Sequence, residues 1–350
     1  MRVVVAGEYA VTDKGMFFSE EAIPILDHFS GNHEVFVVRP QDHAEVGEEL
    51  PTAHYQTRKP VTISGGSVDV AYFGVVGHKI HSQGLINGYV NTLKNVWALI
   101  ERLQTTLKRG VPTLNPIAVM EANTSKRYLL DLQRRGDIRV IPTEEVDSID
   151  RLVELSRSGE LFLAKPLISE RAKGATILTP DAEGELEGLL EEYRRPEQMN
   201  GTLYNRVVSA QGIIVQPFIG DINTHGERKV GVVDGKITLA RVTRLANGVE
   251  GPRIVAYGTQ DAVESVEYEL GPEERRLVER AYHALNDLYT REERLPAHFV
   301  RVDLIGPRNE PMISEIEAIN PHIGVGERWF SDEKIKHHLR QLEKGLSRYH

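Results

Sequence analysis

Three carboxylates near the C-terminal end of this 350-residue chain have the types and spacing of a cation site. Asp303 closes the run His298-Phe299-Val300-Arg301-Val302-Asp303, and Glu315 and Glu317 follow a turn containing Gly306-Pro307. Residues two apart on a strand share a face, so Glu315 and Glu317 point the same way and Arg301 accompanies Asp303. A hairpin between the two runs lets all three carboxylates converge. Oxygens crowded in this way repel unless a hard cation neutralises them, and Mg²⁺ bridged to phosphates is the usual solution. Taken alone, the three fit a solvated acidic face on an edge strand equally well.

Basic and backbone groups that could hold phosphates lie upstream. Phe162-Leu163-Ala164-Lys165-Pro166 reads as a strand ending on a lysine, whose ammonium can meet a phosphate as a point charge. The loop Ser169-Glu170-Arg171-Ala172-Lys173-Gly174 then offers backbone N–H groups and two cations to the same anion. It is not a Walker loop, because no G-x-x-x-x-G-K-[ST] pattern is present. An apolar strand from Ile213 enters Gln216-Pro217-Phe218-Ile219, whose backbone groups could read an adenine edge, and Glu227 could accept from ribose hydroxyls. Asn123 reads as an N-cap with Lys126 one turn in, where a cation is unfavourable against the helix dipole unless a phosphate is its partner. Each segment has an ordinary counterpart: a strand-end lysine, a basic loop, a strand ending in Gln-Pro, an exposed helical lysine.

The elements that must position these groups alternate in kind. Val3 to Ala6, Val35 to Val38 and Val68 to Phe73 read as strands. Ser19 reads as an N-cap before a helix to Phe29, and a long helical pattern runs from Ser82 to Arg109. That order suggests a small parallel-sheet domain. A helix from Asn123 to Arg135 stops at Gly136, and strands are expected near Ile138 and Phe162. Residues 182 to 194 form an acidic helical stretch. Arg228 to Thr243 is a hairpin turning at Asp234-Gly235. Pro272 opens a helix to Tyr289, strands follow at Phe299 to Ile305 and Met312 to Ile316, and a last helix starts at Ser331.

Composition narrows the function. A net charge of -9 supplies no global basic field for nucleic acid or an anionic membrane. The absence of cysteine removes disulfides, thiolate metal sites and a cysteine nucleophile. The N-terminal run lacks the core of a signal peptide, and no apolar run approaches the roughly 20 residues of a membrane helix, so a cytoplasmic location is expected. Histidines offer a rival metal reading. His337 and His338 point apart on a helix, His78, His81 or Lys79 could touch substrate beyond the strand ends, and His322 is a better substrate-side candidate than these.

In this order the segments resemble the ATP-grasp superfamily, in its glutathione synthetase-like branch, over residues 112 to 330. The N-x-x-K-R-Y-L helix, the K-P-x-x-S strand exit, the G-E-R before a D-G hairpin and the paired glutamates are similar to the subgroup of the O-ureido-serine cyclo-ligase of cycloserine biosynthesis. The resemblance implies an α/β (α+β) ATP-grasp fold behind an N-terminal parallel-sheet domain. It divides the chain into an N-terminal substrate-side domain (1–115), a lid subdomain (116–215) and a C-terminal subdomain with the metal site (216–350). It implies ATP and two Mg²⁺ ions as cofactors. Lys126, Lys165, Ser169 and Gly174 would then serve the phosphates, Gln216, Pro217, Phe218 and Ile219 the adenine, and Glu227 the ribose. Asp303, Glu315 and Glu317 would hold the metal, with Asn320 open as an alternative to Glu317. Arg241 would meet the transferred phosphoryl group, with Arg228, Arg244 and Arg253 as weaker candidates. The implied activity is carboxylate–amine ligation through an acyl phosphate, releasing ADP and phosphate, on small-molecule carboxylate and amine substrates. A small-molecule phosphotransferase and a non-catalytic ATP-binding regulator are the alternatives. Neither nucleic acid nor membrane is an expected partner, and homo-oligomerisation is left open.

Overall fold

The computed structural model describes residues 1–7, 9–12, 15–18, 22–39, 49–64, 67–72, 97, 99–100, 113–168, 175–179, 186, 188, 212–220, 225–245, 263–289, 296–319, 321, 323, 325, 329–346 and 348. Four sheets form among them. In the first, the order is β6 (Lys59–Ser64), β5 (Glu49–His54), β4 (Glu34–Val38), β1 (Arg2–Ala6), β7 (Val70–Tyr72) and β8 (Thr113–Leu114). Its β4-β1-β7-β8 part is parallel, as the β-branched runs predict, because strands buried on both faces need no polar alternation. The β5–β6 hairpin joins it antiparallel, so the sheet is mixed rather than parallel throughout. A separate hairpin, β2 (Tyr9–Thr12) and β3 (Gly15–Phe18), has no counterpart in the sequence reading.

Helix α1 (Ile23–Ser30) begins beyond Ser19, with a proline in its first turn and no side-chain cap. Ser19 itself lies outside the described residues, as do most of the helical pattern from 82 to 109 and of the acidic stretch from 182 to 194. Trp97, Leu99 and Ile100 are the described part of the former, and all three are buried.

The helix expected from Asn123 to Arg135 is two helices. They are α2 (Ile117–Thr124) and α3 (Tyr128–Arg135), separated where Ser125 adopts an extended conformation. Asn123 therefore sits near the end of α2 and is not an N-cap. Gly136 ends α3 in the left-handed region at φ 73°, the conformation for which glycine has no steric cost. Beyond it Val140 makes a single bridge to Ile313, and β9 (Glu144–Val146) and α4 (Ile149–Arg157) precede the expected strand β10 (Phe162–Pro166). With β11 (Thr176–Leu178) and β12 (Ile213–Pro217) these make a four-stranded antiparallel sheet, order β11-β10-β12-β9. Leu152 and Leu155 of α4 pack on its Ala164, Ile213 and Val215.

The third sheet has the order β15 (Val263–Glu267), β14 (Lys236–Leu245), β13 (Glu227–Val233), β16 (Phe299–Ile305) and β17 (Met312–Glu317). Its central hairpin turns where expected, with Asp234 and Gly235 both at positive φ. One face presents Val230, Val232, Val302, Leu304 and Ile316 to the core shared with α5 (Pro272–Tyr289). The opposite face is split. At one end Val233, Leu239 and Phe299 join a second cluster with Val3 and Val5 of the first sheet, sealed by Leu339 and Leu342 of α6 (Asp332–Leu346). At the other end that face is charged. No helix among the described residues is long and apolar enough to cross a membrane.

His337 and His338 diverge as expected, the first exposed and the second buried. Thr238 Oγ1 donates to Gly231 O and so accepts from His338 Nδ1, which leaves Nε2 as an unprotonated, buried and unbonded nitrogen. Burial, reinforced by His298 and His337, pulls the His338 pKa down to about 3. In the unfolded chain it lies near 6.5. Between those values the unfolded state takes up a proton that the folded state refuses. Stability contributed by His338 is therefore complete above about pH 6.5 and falls as pH drops toward 3, by roughly 1.4 kcal/mol per pH unit. A His338→Gln variant is expected to show a shallower decline of urea-unfolding stability from pH 6.5 to 4 than the parent. Equal slopes would refute this.

Candidate active site

The charged face follows from cross-strand register. Glu315 lies opposite Asp303, Asp303 opposite Lys229, Lys229 opposite Arg241 and Arg241 opposite Glu267, one row across five strands. In the neighbouring row Glu317 lies opposite Arg301. Arg301 donates from Nε to Asp303 Oδ1 at 2.7 Å, and from Nη2 to Asp303 Oδ2 at 2.9 Å and Glu317 Oε1 at 2.5 Å. Lys229 Nζ lies 2.7 Å from both Asp303 Oδ2 and Glu227 Oε2. Lys126, in the turn between α2 and α3 rather than inside a helix, reaches over to Glu315 Oε1 at 2.9 Å. The structure thus brings Lys126, Glu227, Asp303, Glu315 and Glu317 together with Arg301 and Lys229.

Lys229 was not singled out in the sequence. The signal was present, because Lys229 is two residues from Glu227 on one strand and so shares its face. Arg241 is buried, with its guanidinium 4.0 Å from the Trp329 ring centroid and Nη1 donating to Ser265 Oγ at 3.1 Å. Neither Trp329 nor Ser265 carried a sequence signal, since their approach depends on tertiary packing.

Lys165 projects from β10 beside β12. Its Nζ donates to Gln216 Oε1 at 2.9 Å, and Gln216 Nε2 donates to Thr143 Oγ1 at 2.9 Å. Thr143 in turn donates to Ile141 O, so every donor in the chain has one direction. The Gln216 side chain thereby braces Lys165. The Phe218 N–H is committed to Leu161 O at 2.7 Å, which withdraws that one donor from a purine edge.

Electrostatics separate the carboxylates. Burial alone would raise Asp303, yet Arg301 and Lys229 hold it well below the usual carboxylate range. Glu315 is likewise lowered against burial, chiefly by Lys126. Burial, with Glu315 and Asp303 nearby, pushes Glu317 up to about 7 in spite of Arg301. Burial lowers the Lys165 ammonium, and Lys126 adds to that. Asp303 and Glu227 raise Lys229 against its burial.

The donor set is oxygen only, from residues on two paired strands, and a hard dication would offset both the burial that chiefly raises Glu317 and the neighbouring Glu315 and Asp303 charges that add to it. Among the described residues no three carboxylate or imidazole groups enclose a common point, because ammonium and guanidinium groups hold these oxygens instead. The residues fit Mg²⁺ in kind.

Other candidates lie elsewhere. Arg228 alternates with Glu227 and Lys229, so it faces the α5 side, fully buried, with Nε 2.9 Å from Glu274 Oε1 and Nη1 on the carbonyls of Gly226 and Gly306. It is not brought to the anionic face. Arg244 is exposed and also alternates away from Arg241. Ser169, Gly174, Arg253 and Asn320 lie outside the described residues, as do Arg171, Lys173, His78, Lys79, His81 and His322.

No family model and no curated protein matches the sequence. The fold is similar throughout its length to solved structures. A crystal structure of the D-cycloserine synthetase DcsG superposes with a TM-score of 0.69 at 16% identity, covering 100% of both chains. The D-alanyl-alanine synthetase A of Vibrio cholerae gives 0.61 at 11% identity, covering 99% of this chain and 98% of that one. The ATP-grasp ligase PsnB, solved with a phosphomimetic variant of its minimal precursor, Mg and ADP, gives 0.57 at 13% identity and covers 98% of each.

Proposed function

We propose that this chain, whose fold is that of the ATP-grasp superfamily, is an ATP-dependent ligase that joins a carboxylate to an amine and releases ADP and phosphate. The observation that carries the reading is the charged row Glu315–Asp303–Lys229–Arg241 on one sheet face, approached by Lys126. The similarity to synthetases and to a ligase solved with Mg and ADP supports it.

The residues suit each step. Lys126, Lys165 and Lys229 can accompany the phosphate chain, Pro217 and Ile219 the adenine, and Glu227 the ribose. Asp303, Glu315 and Glu317 would hold Mg²⁺, which supplies charge neutralisation on the phosphates. A carboxylate oxygen of the first substrate attacks the γ-phosphorus, the bond to the β–γ bridging oxygen breaks, and ADP leaves. The amine of the second substrate attacks the acyl carbon. Phosphate departs, and the amine loses a proton as the amide forms. Arg241 and Arg301 stabilise the charge spread over the transferred phosphoryl group, so catalysis is mostly positioning and electrostatics. No side-chain nucleophile is required.

Release of ADP should depend on both a carboxylate and an amine when amino acids and small carboxylates are screened in pairs. A stable phosphorylated product formed without any amine would overturn ligation in favour of phosphotransfer. Absence of carboxylate-stimulated ADP release would remove the ligase reading.

A further inference from the structure

Strand β17 is the edge of its sheet, and an edge strand exposes a row of unpaired N–H and C=O groups. Here side chains meet that row at the segment bearing Glu315 and Glu317. The N–H of Ile316 donates to the Tyr128 hydroxyl oxygen at 2.7 Å. Asn123 Nδ2 donates to Ile316 O at 2.6 Å, and Asn123 Oδ1 accepts from the N–H of Ala318 at 2.6 Å. Asn115 Nδ2 donates to Ala318 O at 2.5 Å. The four outward groups of Ile316 and Ala318 are thereby satisfied without a sixth strand. Closer to the strand start, Ile313 is paired by Arg139 O and the N–H of Ile141.

The placement matters because a slip of one residue would turn both glutamates to the opposite face. Asn123 presents an acceptor and a donor with the spacing of a strand residue, so it does not fit a register slipped by one residue. The same segment carries Lys126, whose Nζ lies on Glu315 and whose N–H donates at 2.8 Å to Leu167 O, just past the strand that bears Lys165.

We propose that Asn123 and Tyr128 are positioning residues that fix the register of β17 and hold Glu315 and Glu317 where a divalent cation and the nucleotide phosphates meet. This rests on the reading of those glutamates as Mg²⁺ ligands. ADP binding measured by calorimetry across a MgCl₂ series, and again in EDTA, tests it in the full chain. Asn123→Ala should raise the Mg²⁺ concentration for half-maximal ADP binding by about 10-fold or more, the usual loss when a residue supporting a metal ligand is removed. Affinity in EDTA should stay at the parent value, which a general loss of structure would not allow. Tyr128→Phe removes a single acceptor and should shift the Mg²⁺ requirement the same way by less. It decides the matter if Asn123→Ala does not fold. Unchanged Mg²⁺ dependence in both variants, with Mg²⁺-dependent binding in the parent, overturns the positioning role alone. Mg²⁺-independent ADP binding in the parent overturns the cation-site reading and this role with it.

Discussion

Glu315→Gln is expected to lower Mg²⁺-dependent ATP turnover by about 100-fold or more, the scale of losing one preorganised charge contact at a reacting phosphate. The substitution keeps shape and removes charge. Glu315 is the anion on which Lys126 rests at 2.9 Å, and it lies directly opposite Asp303. A neutral amide oxygen is a weaker ligand for a hard dication than a carboxylate, and it forms no ion pair with the ammonium. Folding should survive, because the glutamine keeps the shape of a side chain that is 28% exposed. Steady-state ADP release together with a urea-unfolding midpoint checks both halves. Full turnover would remove Glu315 from the site.

Arg228→Met should have the largest effect on stability, a loss of roughly 3–5 kcal/mol, because it takes from a buried carboxylate its close, buried cationic partner. Glu274 is completely buried and accepts from Arg228, from the Tyr268 hydroxyl and from the N–H of Gly271, while the exposed Arg308 keeps its Nε 3.7 Å from Oε2 and is too solvated to replace Arg228. Adding Glu274→Leu removes the buried charge and should restore part of the loss. The carbonyls of Gly226 and Gly306 still lack their donor, so restoration is incomplete. Turnover of the double variant, measured well below its unfolding temperature, should stay close to the parent. A loss below about 1 kcal/mol in the single variant would contradict the buried-pair account. A stable but inactive double variant would return Arg228 to the chemistry.

What could be read from the sequence was whatever depends on local period. The Asp234-Gly235 turn, the helix from Pro272 to Tyr289 and the strands carrying Asp303 and Glu315 follow from alternation and turn chemistry. The same alternation that pairs Arg301 with Asp303 also pairs Lys229 with Glu227 and turns Arg228 away. Helix breaks were less legible. Nothing local marks Ser125 as extended, since its conformation serves contacts of Asn123 and Tyr128 with a strand almost 200 residues away. The partners of the charged groups were likewise hidden. Gln216 was legible only through its backbone at a possible adenine hinge, and its side-chain bonds to Lys165 and Thr143 were not, since that contact is set by the pairing of β10 with β12.

The ion pairs across the charged face have a consequence for how its ligands must arrive. Each carboxylate expected to serve a cation is already held by Lys126, Lys229 or Arg301. A divalent ion that takes those oxygens releases the basic groups, and a phosphate chain that draws the basic groups away releases the oxygens. Each ligand alone must break pairs that the two together replace. Cooperativity of this kind is reciprocal by thermodynamic necessity: the factor by which Mg²⁺ tightens nucleotide binding is the factor by which nucleotide tightens Mg²⁺ binding. The calorimetric series with and without MgCl₂ measures that factor, and independent, additive binding would contradict it. Left to itself, such a face has little appetite for either phosphate or metal, and it answers chiefly to their joint arrival.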